Sequence, residues 1–407
     1  MDTDAVPTVT LDDILTAREA LVGNSLVTPM QSSRWLDAIT GQRIYIKCEN
    51  LQRTGSFKIR GAYLRISKLT EEERAHGVVA ASAGNHAQGV ALAAQLLGIK
   101  ATVFMPYGAP IPKENATRAY GATIEFVGTT IDECLVAARG FAAETGAVLI
   151  HPFDHVDIVA GQGTCGLEIL EQAPDAKTVL VPTGGGGFIA GIATAIKARR
   201  PDVRVVGIQA ETAAAYPRSL EAGKPLALGR MATMADGIAV GCPGDVPFAA
   251  IQAHVDEIRT VSEESLSTAL LALIERAKVV VEPAGAAAVA ALMDAPHDFE
   301  GPIVVVLSGG NVDPLLLMRV IRHGMAAQGR YLSLRCRISD KPGGLARLLA
   351  ELSDADANVL DVVHERTAAS LPLDEVEVAL HMEMRGETHS QLVLSRLRSK
   401  GYSVTTF

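Results

Sequence analysis

Aromatic side chains are scarce in this chain, where Phe, Trp and Tyr together make up 4% of 407 residues. A core built without them must be filled by Ala, Val, Leu and Ile, and an apolar content of 48% is ample for more than one core. Such a composition suits helices packed closely on a buried parallel sheet. Cysteine is also sparse. Cys48, Cys134, Cys165, Cys242 and Cys336 are scattered, odd in number and form no C-x-x-C pair. This argues against a disulfide framework or a zinc site, so no metal centre is expected, and it argues for a reducing, cytoplasmic compartment. The net charge is -9 and no basic run occurs, which makes nucleic acid and anionic membrane poor partners. The N-terminal MDTDAVPTV has no apolar stretch of the signal-peptide kind. The longest apolar candidate, 279–293, is interrupted by Glu282 and Pro283, and no run reaches the ~18 residues of a membrane span.

What is present is alternation. Short β-rich runs at 43–49, 77–82, 101–106, 123–127, 148–153, 178–183, 203–209 and 302–308 are separated by Ala-rich helical patterns such as 86–98, 130–145, 188–200 and 262–277. Strands alternating with helices predict βαβ units and an α/β fold with parallel sheets. Beyond residue 325 the pattern changes. A linker at 326–331 leads to a strand at 331–338, a helix at 345–357, strands at 359–367 and 375–384 around a loop at 368–374, a helix at 389–401 and a last strand. That order is βαββαβ, the ferredoxin-like plan.

Three strand ends are rich in glycine or small polar residues. VPTGGGGFIAG offers Gly184, Gly185, Gly186 and Gly187 before a helix beginning near Phe188. Successive N–H groups there form an anion nest at a positive helix end, suited to one phosphate. The loop lacks Walker A and dinucleotide spacing. ASAGNHAQG crowds Ser82, Ala83, Gly84, Asn85 and His86 at a second helix N-terminus, where a carboxylate is favoured, although Ser82 or Asn85 would also serve as a plain cap. SGGN puts Ser308 at a third strand end, able to meet a ring nitrogen or simply to make a turn. Finally, TGSFKIRG sets Lys58 behind Phe57 and a tight turn. A lysine so screened has a lowered pKa and can condense with an aldehyde. Amine, phosphate nest, polar side chain and ring-nitrogen partner make up the inventory of a pyridoxal phosphate site.

GSFKIRGA, SAGNHAQG, TGGGGFIAG and SGGN, in this order, resemble the fold type II pyridoxal phosphate enzymes of the serine/threonine dehydratase branch, over roughly residues 10–325. ISDKPGGL in the C-terminal unit resembles an ACT domain, a ligand-sensing module. The resemblance implies two open twisted α/β subdomains, the smaller at about 50–155 inserted in a catalytic domain of 1–325, followed by an ACT-like regulatory domain at 332–407. It implies that Lys58 holds the cofactor beside Phe57 and moves the substrate's α-proton. Asn85 would bond the cofactor's ring hydroxyl, Gly184 to Gly187 with Phe188 its phosphate, and Ser308 its ring nitrogen. Ser82 with the 83–86 turn would take the substrate carboxylate. A neutral Ser308 disfavours long-lived carbanion chemistry and favours loss of a β-hydroxyl. The activity implied is deamination of L-threonine to 2-oxobutanoate and ammonia, with L-serine to pyruvate beside it.

Serine racemases of this family have a second serine where Ala83 stands, and acids in the segment of Gln209, Glu211 and Ala215. These departures count against racemisation and a divalent metal and leave room for a monovalent cation. Cysteine synthases of the fold have threonine at the position of His86, which counts against β-replacement. A serine dehydratase, a β-replacement enzyme and a non-catalytic amino-acid sensor remain the alternatives. In the ACT-like unit Asp340, Pro342, Gly343 and Gly344 would receive an amino-acid effector, isoleucine or valine, if the enzyme feeds branched-chain synthesis. Otherwise the unit serves assembly alone. A homo-oligomer, dimer or tetramer, is expected.

Overall fold

The computed structural model describes residues 6–366, 372 and 374–407. Residues 1–5, the last residue of the strand expected at 359–367, and 368–371 and 373 of the loop expected at 368–374 lie outside them. Two compact units result, Met1–Leu317 and Met318–Phe407.

The first unit holds two sheets. One has six strands in the order β1-β2-β10-β7-β8-β9, namely Met30–Ser32, Ile44–Cys48, Ile303–Leu307, Thr178–Pro182, Arg204–Ala210 and Glu257–Val261. All its pairs are parallel except β1 with β2. The other has four parallel strands, β5-β4-β3-β6, namely Thr123–Phe126, Ala101–Met105, Val78–Ala81 and Val148–Leu149. Every residue of β3, β7 and β10 is buried. This explains their unbroken apolar sequences, since helices cover both faces of a parallel sheet.

The strand expected at 148–153 stops at Leu149. Pro152 cannot donate to a ladder. The carbonyls of Ile150 and Pro152 instead receive the His86 ring at 2.8 Å and the Lys58 ammonium at 2.9 Å. The short strands β1 and β9 were not among the expected ones.

In the second unit β11 (Tyr331–Ser339), β12 (Asn358–Glu365), β13 (Glu375–Glu383) and β14 (Ser403–Thr406) form an antiparallel sheet in the order β12-β13-β11-β14. With the helices Gly344–Ser353 and Glu387–Ser399 the element order is βαββαβ. Alternate residues of β13 are buried, Val376, Val378, Leu380 and Met382, against Leu348, Leu352, Val393 and Leu397 of the two helices, as expected of a sheet covered on one side. The stretch expected as a linker, 326–331, consists of the end of the helix Pro314–Ala327, a left-handed turn at Gly329 (φ 65°) and the start of β11. Two alanines extend the helix until glycine stops it.

Candidate active site

Four turns converge at the carboxyl ends of β2, β3, β7 and β10, where open parallel sheets place ligands. The first, Thr54 to Phe57, leads into the helix Lys58–Ser67. It is hydrogen-bonded to the turn after β10: Phe57 N–H donates to Ser308 O at 3.3 Å, and Gly310 N–H to Gly55 O at 2.9 Å. Asn311 of that same turn donates through Nδ2 to Thr54 O (2.6 Å) and to Asn85 Oδ1 (2.8 Å). The turn after β3 is thereby tied in. The tetraglycine turn is held by the Phe57 and Phe188 rings, stacked with centroids 3.9 Å apart. Lys58, Asn85, Ser308 and the glycines named from sequence therefore share one cleft.

Glycine is required in the tetraglycine turn by close approach. A Cβ on Gly185 would collide with the Phe153 ring, and one on Gly186 (φ 95°) with Tyr216. Tyr216 Oη also donates to Gly185 O at 3.1 Å. The helix Gly187–Arg199 starts here. Among the described residues no protein group accepts the N–H of Gly185, Gly186, Gly187 or Phe188. Four consecutive donors without acceptors at a positive helix end suit an anion.

Lys58 is partly buried. Its Nζ lies 5.2 Å from the Phe57 ring centroid. Burial lowers its pKa to about 8, against an opposing pull from Glu282, so a larger share is free amine near neutrality than for an exposed lysine. Gly89 lets the helix Asn85–Leu97 approach closely, since a Cβ there would stand 3.2 Å from the Lys58 backbone.

In the Ser82 turn, Gly84 N–H donates to Ser82 Oγ at 3.1 Å. The N–H groups of Ala83, Asn85 and His86 have no acceptor among the described residues. The His86 ring does not face this turn's chemistry: its Nε2 meets Ile150 O, and burial together with nearby Lys58 pushes its pKa down to about 3. Its side chain is a neutral anchor, and only its N–H remains for a substrate. The effector candidates Asp340, Pro342, Gly343 and Gly344 belong to the second unit. They line a pocket of about 330 Å³ there with His364 and Arg366.

Sequence reasoning missed Glu282, Asn311, Lys113 and Asp236. Glu282 stands before the helix Pro283–Asp294, only 2% exposed, and accepts from Asn85 Nδ2 at 2.6 Å. Among the described residues its Oε2 has no hydrogen-bond partner. Burial and then the charge of Asp236 raise its pKa to about 7, while Lys113, the Asn85 bond and Lys58 restrain it. The available signal was an acid set inside the chain's longest apolar run, a rare event for a carboxylate. Asn85 spends one N–H on Glu282 and one lone pair on Asn311, leaving one of each for a ligand.

The sequence matches the family model of pyridoxal-phosphate dependent enzymes over residues 24–309. The L-threonine ammonia-lyase of Thermotoga maritima is 45% identical over 397 residues, 97% of this chain and 99% of the relative. Among solved structures, a threonine deaminase of T.th. has a TM-score of 0.72 and 44% identity, covering 75% of this chain and 99% of that one. A maize serine racemase has a TM-score of 0.74 and 36% identity, covering 77% and 97%.

The residues fit the cofactor this family uses. The four unaccepted N–H groups suit its phosphate, the lowered pKa of Lys58 suits its aldehyde, and Ser308, 4% exposed, directly follows β10 with its carbonyl bonded to Phe57 N–H. The chain belongs to the pyridoxal-phosphate dependent enzymes.

Proposed function

We propose that this protein is a threonine ammonia-lyase that converts L-threonine to 2-oxobutanoate and ammonia and L-serine to pyruvate. The convergence of Lys58, the free amide nest of Gly185 to Phe188 and Ser308 in one cleft carries the reading. The activity named for the Thermotoga maritima relative supplies the substrate. When bound, pyridoxal phosphate supplies a conjugated electron-withdrawing ring that acidifies the α-C–H of an attached amino acid. The amide nest and the N-terminus of the helix Gly187–Arg199 hold the phosphate. Ser308 would offer the ring nitrogen a neutral hydroxyl, which favours prompt loss of the β-hydroxyl. The Ser82–His86 turn orients the carboxylate, and Lys58 Nζ takes the α-proton. The released enamine hydrolyses to the 2-oxo acid and ammonia. Ala83 has no group to return a proton on the opposite face, which separates this chain from a racemase. One methyl distinguishes threonine from serine and is worth only ~1–3 kcal/mol in a pocket, so both are substrates.

The purified holoenzyme should release 2-oxobutanoate rapidly from L-threonine. No 2-oxo acid from threonine or serine would instead favour β-replacement or a sensing role.

The reading extends to the second unit as an ACT-like domain binding isoleucine or valine in a branched-chain pathway. The pocket at Asp340–Gly344 supports it: Gly343 (φ 82°) opens the helix Gly344–Ser353, Arg366 lies 3.3 Å from Asp340, and Ile338 and Val376 supply an apolar wall. Isothermal titration should show binding heat with isoleucine or valine, and its absence would leave an assembly role. β12 is an edge strand exposing Leu360 and Val363, which supports a homo-oligomer. A cytoplasmic location accords with five unpaired cysteines. No described helix is long and apolar enough to cross a membrane.

A further inference from the structure

Lys113 is a buried cation in an unusual place. It lies on the helix Ile111–Ala119, which follows β4 of the four-stranded sheet, and the residue is 7% exposed. Its ammonium stands over the Ser82 turn, where a Cβ on Gly84 would be 3.7 Å from Nζ. That turn opens the helix Asn85–Leu97, whose N-terminal N–H groups carry partial positive charge. A cation beside a helix N-terminus is unfavourable unless an anion joins them. The ion-pair partner present is Asp236, 2.7 Å away, which comes from the segment between β8 and β9 of the six-stranded sheet. Asp236 is 54% exposed, so much of its charge is screened by water. Glu282 is the other nearby acid, and its raised pKa leaves it a weak counter-charge near neutrality.

An anion seated on the N–H groups of Ala83, Asn85 and His86 would therefore meet a preplaced ammonium. We propose that Lys113 is a specificity-determining residue that pairs with the α-carboxylate of the amino-acid substrate, its ammonium held over the Ser82–His86 turn by Asp236. The inference rests on the functional reading above in taking the substrate to be an amino acid. Its physical content is a preference for a negatively charged carboxyl group over a neutral amide. The flexible lysine stem leaves Nζ free to bridge Asp236 and the ligand together.

The test compares L-alanine with L-alaninamide, which differ in that charge and carry no β-hydroxyl to eliminate. Both are titrated into the holoenzyme and followed by the change in cofactor absorption, a readout independent of turnover. Lys113→Met keeps the apolar stem while removing the charge. It should weaken L-alanine by about 10–100-fold, the scale of one charge-assisted bond, while changing L-alaninamide by no more than about twofold. KM for L-threonine should rise in parallel, and Lys113→Arg should restore most of the carboxylate preference. Equal weakening of both ligands would make the Lys113–Asp236 pair a structural strap and overturn the proposal, as would no change in either. A wild-type enzyme that binds L-alanine with this selectivity yet releases no 2-oxobutanoate would refute the functional reading and leave the carboxylate site standing.

Discussion

A Lys58→Ala protein is expected to bind pyridoxal phosphate only through its phosphate and ring contacts and to deaminate L-threonine about 10⁴-fold more slowly, or worse. General-base catalysis alone contributes about 10²–10⁴-fold, and in the proposed function Lys58 serves as both the base and the point of covalent attachment. The structure explains why neither nearby histidine can substitute. The His86 ring is fixed on Ile150 O with its pKa near 3, and the His151 Nδ1 accepts from the N–H groups of Phe153 and Asp154, with its pKa lowered to about 4 chiefly by burial. The variant should keep the melting temperature of the cofactor-free wild type, because alanine is compatible with the first turn of the helix. Borohydride treatment of the wild-type holoenzyme should fix the cofactor on the Lys58 peptide, and the variant should yield no such adduct. Threonine turnover within tenfold of wild type would refute the role given to Lys58.

Replacing Arg60, two residues further on, is expected to have the largest effect on stability. Two residues are about 200° apart around a helix, so Lys58 faces the cleft while Arg60 points inward, where it is 1% exposed. Its guanidinium donates to Glu49 Oε2 at 2.8 Å through Nε and to Glu168 Oε1 at 2.6 Å through Nη1. Lys47, also fully buried, pairs with Glu168 at 2.6 Å. Burial opposes Arg60's charge, yet Glu49 and Glu168 more than offset this and hold it charged. Burial likewise opposes the charge of Glu49, and Arg60 overcomes it to keep its pKa below the usual range. Arg60→Ala leaves two buried carboxylates with Lys47 as the remaining cation and should cost about 3–5 kcal/mol. Urea denaturation of the holoenzyme checks this. A loss under about 1 kcal/mol would mean that water or rearrangement replaces the guanidinium. Because this cluster ties the Lys58 helix to the helix Val156–Gln172, the variant should also lower activity.

The parts of the site that were legible in the sequence are those with local causes. A run of glycines before a helix, a small polar turn after a β-rich run and a lysine behind an aromatic each combine a backbone geometry with a chemical group within a few residues. Lys58, Asn85, Ser308 and the tetraglycine turn were found this way. Glu282, Asn311, Lys113 and Asp236 carry no such local mark. Lys113 reads as an ordinary amphipathic-helix residue until the fold sets it across from Asp236, 123 positions away. His86 shows a further limit: nothing in its polar turn marks its ring as a buried anchor, and only the path of the chain after β6 brings Ile150 O to it.

The same division holds for the fold. The α/β class, most of its strands and the βαββαβ order of the last 75 or so residues follow from apolar runs and turn residues, because a strand between two layers of helix needs an unbroken apolar sequence wherever it stands. Which strands neighbour one another does not follow. β10 lies between β2 and β7 although some 120 residues or more separate it from either. That adjacency brings Ser308 to Phe57 and Lys58. Periodicity reports whether a segment is buried. Which buried surfaces meet is decided by packing among all of them at once, and the charges of the cleft exist as a site only after that packing has taken place.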